Sequence, residues 1–167
     1  MKVLIFIFVF AVGGLLQITF AQDTSTQYLE QVITDYINVK NALTIDRADS
    51  VSAYAKILSA DIQNVPMKKL SSDIHKIWDQ HYKELVNHAN KIENSTSLKD
   101  QRKHFADLST DFYNMIKPME INTIDLYYQY CPMKGVYWVS EKSKISNPYF
   151  GKQMPTCGST KETLKAK

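Results

Sequence analysis

Glycine and proline are scarce in this 167-residue chain, five of each, and most of both fall after residue 117. The long first stretch therefore lacks the residues that punctuate turn-rich folds. Catalytic signatures are missing as well. The sequence holds no G-x-S-x-G elbow, no H-E-x-x-H, no phosphate-binding glycine loop and no dinucleotide fingerprint. Charge of one sign is not concentrated anywhere: the formal net charge is +3, and lysines are scattered among acids, with only the tail from Lys161 to Lys167 modestly basic. Nucleic acid is therefore not an expected partner, because phosphate binding needs a focused positive face. No internal repeat or low-complexity segment is evident, and beyond residue 21 no apolar run is long enough to span a bilayer.

The first residues do hold such a run. Met1-Lys2 gives a short positive start, Val3 to Ile18 is nearly all apolar, and Thr19-Phe20-Ala21 places small residues before a cut ahead of Gln22. This is the pattern of a secretory signal, with an uncleaved anchor as the alternative. The expectation is an exported protein, periplasmic or secreted, with no membrane insertion once residues 1–21 are removed. Residues 22–167 then make one domain of ordinary size.

Four helices are predicted before Pro118. The first runs from Thr26 to Leu43, with Leu29, Val32, Ile33, Tyr36 and Ile37 at helical spacing. Asp46 or Asp49 caps the second, which ends at Pro66. The third starts at Ser71 or Ser72 and reaches Ile92. The fourth begins near Ser97 and stops at Lys117, because proline disfavours helix in the residue before it. Helices of about five turns with short polar connections favour an up-down four-helix bundle. The fold class is therefore read as all-α: the bundle over residues 22–120, an irregular aromatic strap over 121–158 packed on it, and a loose tail over 159–167. Within the strap, Ile124–Tyr130 and Tyr137–Val139 suggest a short hairpin.

The strap carries the chemistry of interest. Cys131-Pro132-Met133 and Met154-Pro155-Thr156-Cys157 each place a thiol and a thioether together in a proline-stiffened loop. Thiolate and thioether are soft donors that select copper(I) over magnesium, calcium or manganese. Zinc fits less well, since structural zinc sites take four Cys, His or carboxylate ligands and do not use methionine. The competing reading is a Cys131–Cys157 disulfide in an exported protein, which would stabilise the strap by about 3–4 kcal/mol through chain entropy, with the methionines as packing residues. Composition alone favours the disulfide.

Histidines add little. His81 and His88 fall on the inward stripe of the third helix, two turns or about 10 Å apart, too far to share a metal. His75 reads as exposed. His104 flanks the apolar face of the fourth helix beside Phe105 and Leu108 and can turn toward the strap. A Cys131–His104 thiol enzyme would need an activated thiolate, which no local pattern supplies.

The run Tyr128-Gln129-Tyr130-Cys131-Pro132-Met133, then Tyr137-Trp138, Asn147-Pro148-Tyr149-Phe150-Gly151, Met154 and Cys157-Gly158 is specific. Together with Gln101-Arg102-Lys103-His104-Phe105 and Leu108-Ser109, it resembles a bacterial domain-of-unknown-function family. Its members are exported, and its domain is also appended to some copper and silver efflux adaptor subunits. The resemblance implies copper handling, with Cys131, Met133, Met154 and Cys157 as candidate ligands and His104 as an addition. It implies that Arg102 anchors the strap through backbone carbonyls or a carboxylate. It tips the reading toward a periplasmic carrier or buffer for copper(I), with silver as a second ion. An efflux system or another envelope protein is the expected partner, and no enzyme activity is expected. The alternative is a non-catalytic interaction module closed by the disulfide.

Overall fold

The computed structural model describes residues 24–167, so the expected secretory segment lies outside the described residues. Four helices follow one another: α1 (Thr24–Thr44), α2 (Ala48–Asn64), α3 (Ser72–Glu93) and α4 (Leu98–Met119). No described helix is long and apolar enough to cross a membrane. Two starts are fixed by serine caps. Ser71 Oγ accepts the Ile74 N–H at 3.4 Å, and Ser97 Oγ accepts the Asp100 N–H at 3.1 Å, which satisfies backbone donors that a helix cannot pair internally.

Two boundaries differ from the expectation. Arg47, with no side-chain cap, precedes α2. Asp46 does not cap it because its carboxylate is turned toward Arg102 and the Lys152 N–H. Helix α4 runs through Pro118 and ends at Glu120 in the left-handed region. A proline in the last turn forfeits only one intrahelical bond, so the helix carries on past Lys117.

Each helix packs against the next in sequence, burying stripes such as Val51, Ala55, Leu58 and Ile62 on α2. Tyr36 joins the ends of this series. Its ring stacks on Phe112 at 4.0 Å and on Phe105 at 5.4 Å. Its hydroxyl shares a 2.7 Å bond with Ser109 and accepts the Val139 N–H at 3.0 Å. One fully buried side chain thus links α1, α4 and the strap.

The all-α expectation is corrected by a three-stranded antiparallel sheet. Strands β1 (Leu126–Cys131), β2 (Val136–Ser140) and β3 (Ser159–Leu164) lie in the order β2-β1-β3. The fold is mostly helical rather than purely so. Aromatic and β-branched residues such as Tyr127, Tyr128, Tyr137, Trp138 and Val139 suit a pleated, half-buried surface, and the expected hairpin is β1-β2. The expected loose tail is corrected too. Ser159–Leu164 pairs with the edge of β1 that would otherwise be bare, with an irregularity at Tyr128/Gln129. The buried Asn122 amide donates to Leu164 O at 3.2 Å and Lys165 O at 3.0 Å, and Lys165 meets Asp125 at 2.8 Å. At the far end of β2, buried Lys40 of α1 pairs with Glu141 at 2.6 Å.

Asp35 on α1 is buried, and burial together with the facing Asp61 carboxyl raises its pKa from 3.8 to about 6. A raised folded-state pKa means that its contribution is fully present below pH 3.8 and is lost as pH climbs through about 6. Asp35→Asn is therefore expected to stabilise the fold by about 1–3 kcal/mol at pH 7. Urea unfolding at pH 4 and pH 7 checks this. Equal effects of the substitution at both pH values would contradict it.

Candidate functional site

The site grows from the hairpin. Pro132, Met133, Lys134 and Gly135 connect β1 to β2, and Gly135, at φ +67°, sends its N–H to Cys131 O at 2.9 Å. Glycine takes this left-handed position without steric penalty. Cys131 closes β1 and is fully buried, opposite Val136 in the register. Met133 projects from the turn and is 65% exposed.

The second half of the site is folded back by one asparagine. Asn147 is fully buried. Its Oδ1 accepts the Tyr149 N–H at 2.8 Å and the Phe150 N–H at 3.2 Å, and its Nδ2 donates to Cys157 O at 2.6 Å. Its own N–H reaches Pro155 O at 2.8 Å. The Asn147–Phe150 corner and the Met154–Cys157 loop are thereby held side by side. Gly158 then passes so close to Trp138 Cη2 and Tyr130 O that a Cβ would stand 2.8 and 2.9 Å from them.

The corner itself is clamped to the bundle. Arg102 Nε donates to Pro148 O at 2.8 Å, and its Nη2 donates to Leu43 O at 3.1 Å and to the Asp46 carboxylate. Asp46 also accepts the Lys152 N–H at 3.1 Å. Arg102 thus ties the strap, at Pro148 O, to Leu43 O and the Asp46 carboxylate of the α1–α2 corner. The guanidinium and the Lys152 N–H hold Asp46 below the ordinary carboxylate range, against the opposing effect of burial.

The outcome is that Cys131 and Cys157, 26 positions apart, place their sulfurs 3.7 Å from one another. No disulfide joins them. Desolvation, then the Cys131 sulfur beside it, raises the Cys157 thiol above its ordinary value, against a lowering hydrogen bond from the Met133 N–H. Met154 is half-buried in the Cys157 loop. His104 is half-buried on α4, and among the described residues no group of three or more His, Cys, Asp or Glu is placed to hold a metal ion. The structure thus brings the two thiols together without a third ligand of those types. His88 Nε2 is 3.1 Å from Asp111, and His75 is exposed.

The sequence assigned no role to Asn147 and read Asp46 only as a candidate cap of the second helix. Asn147 stood within the quoted motif, and an Asn-Pro pair is itself a turn signal. Asp46 carries no comparable mark.

The sequence profile of the family described as "Protein of unknown function (DUF3347)" matches residues 32–123, more than half of the chain. The chain belongs to the DUF3347 family. The matched span takes in most of α1 and all of α2, α3 and α4, and it ends before β1. Within DUF3347 terms, the helical bundle with Arg102 is the matched portion, and the sulfur-bearing sheet follows it. No curated protein and no solved structure matches the chain significantly.

Proposed function

We propose that this DUF3347 protein carries or buffers copper(I), with silver(I) as a second ion, in the periplasm. In this reading Cys131 and Cys157 are the principal ligands, Met133 and Met154 assist, and His104 is an outer addition. The observation that supports it is the 3.7 Å approach of two thiols from separate loops, each loop also bearing a thioether. A tetrahedral ion with metal–sulfur bonds of about 2.3 Å would hold two sulfurs just under 4 Å apart, so the thiols need little movement to share one ion. Soft donors of this kind favour copper(I) over hard cations. The segment at residues 1–21 supports export, and an efflux system or another envelope protein is the partner the reading assigns.

The chemistry is ligand exchange. Cys157 is held protonated by its surroundings, the reverse of an activated catalytic thiolate, and this favours a carrier over a thiol enzyme. The ion must displace thiol protons, so binding releases them and tightens as pH rises. The expected result is an apparent copper(I) affinity that climbs about tenfold per pH unit for each proton displaced between pH 6 and 8. An anaerobic competition titration at three pH values measures it, and a flat profile would count against thiol ligation.

The same approach favours a second reading. A disulfide needs the sulfurs about 2.05 Å apart, and closing from 3.7 Å is a small rearrangement. Non-reducing mass spectrometry of the exported protein distinguishes the two through the loss of two hydrogens.

A further inference from the structure

A groove of about 590 Å³ opens between the first half of α4 and the hairpin turn that follows Cys131. Ala106, Val136, Tyr149 and Phe150 give it an apolar floor. Lys99, Lys103 and Lys134 stand around it, all exposed, and none makes an ion pair among the described residues. Lys134 Nζ lies 5.2 Å from the centre of the Phe150 ring. Asp107 is the one carboxylate among the lining residues, and Arg102 is already committed to Asp46 and two carbonyls.

We propose that this groove docks an acidic peptide segment of a partner protein, with one apolar side chain inserted over Phe150. The charge argument is direct. Three unpaired ammonium groups surround an apolar floor, so the complementary occupant carries carboxylates on either side of a hydrophobic anchor. From Lys99 to Ala106 the helix edge runs about 10 Å, which three extended residues match. A flat anionic bilayer cannot reach a recessed floor, and a nucleic acid would meet too few cations here. The hairpin links the groove to the thiols. Val136 lines the groove and is the register partner of Cys131, and directly opposed residues share one face of a sheet. A segment seated here rests on the hairpin that carries Cys131. That it belongs to a protein exchanging metal with this chain rests on the carrier reading; the docking itself does not.

The test uses the reduced, metal-free protein and the capped peptide Glu-Asp-Leu-Asp-Glu, followed by amide chemical shifts. The expected shifts fall on residues 99–107, 134–136 and 150–153. Binding should weaken about tenfold or more in the double variant Lys99→Glu/Lys103→Glu, and by a similar factor when the peptide leucine is replaced by alanine. It should also weaken at about 0.3 M salt. Both lysines are exposed, so an unchanged melting temperature separates this loss from unfolding. Several outcomes overturn the proposal: shifts elsewhere, equal binding of a Lys-Lys-Leu-Lys-Lys peptide, indifference to the double variant, or attachment to phosphatidylglycerol vesicles with no response to the acidic peptide. Because no metal is present, such a failure leaves the thiol site untouched. A failed copper titration likewise leaves the docking result standing.

Discussion

Gly151→Ala is expected to destabilise the protein by about 3–5 kcal/mol, lowering the melting temperature by on the order of 10 °C. Gly151 sits at φ +53°, where a Cβ would overlap Asp46 Oδ1 and stand 2.5 Å from Arg102 Nη2. The backbone conformation alone costs an alanine about 1–2 kcal/mol. The larger part comes from the clamp. Asp46 or the guanidinium must move, and the bonds from Arg102 to Leu43 O, Pro148 O and Asp46 weaken together, each charge-assisted bond contributing about 1.5–3 kcal/mol. These bonds fasten the corner beneath the Cys157 loop to the end of α1 and to α4. Thermal unfolding followed by circular dichroism measures the effect. A variant within 1 kcal/mol of the parent would show that Gly151 is a turn residue and nothing more.

Asn147→Ala is expected to cost about 3–4 kcal/mol and to weaken any metal held by Cys157. The substitution deletes three bonds at once and leaves the Tyr149 N–H, the Phe150 N–H and Cys157 O without this partner in a mostly buried place. A buried polar group left unpaired costs about 1–3 kcal/mol, with some of that recovered by relaxation. Asn147→Asp separates the two faces of the side chain. The carboxylate can still accept both N–H groups but has no proton for Cys157 O. The aspartate variant should therefore regain part of the stability while the Cys157 loop stays displaced. Denaturant unfolding reads the first property, and the rate of thiol alkylation at Cys157 reads the second. Equal loss in both variants would place the whole effect on the bond to Cys157 O.

Much of the helical half was legible because it depends on local rules. Periodic apolar residues located α1, α3 and α4 to within a few residues, and the starts read near Ser71 or Ser72 and near Ser97 fall beside the serines that cap α3 and α4. The start of α2 was not legible, since Asp46 serves a contact with Arg102 fifty-six positions away, and no local pattern announces such a partner. The C-terminal strand escaped for a similar reason. Ser159–Leu164 is polar and exposed along its first half, so it looks solvated in isolation, and only the bare edge of β1 makes it a strand. Of the candidate site, the motif pointed to both thiol loops, and the fold brings Cys131 and Cys157 within contact. It could not reveal that His104 would not complete a cluster with them, because that depends on how α4 faces the sheet.

The most direct test of the central claim is an anaerobic copper(I) competition titration of the reduced protein and of its Cys131→Ser and Cys157→Ser variants. A serine hydroxyl replaces a soft donor with a hard one while nearly preserving shape, so folding should survive where ligation does not. The account predicts one equivalent held tightly by the parent and an affinity reduced by about a hundredfold or more in each variant, since each loses one of two principal ligands. Equal affinities in parent and variants, or no binding by the parent, would contradict it and leave the paired cysteines to the disulfide.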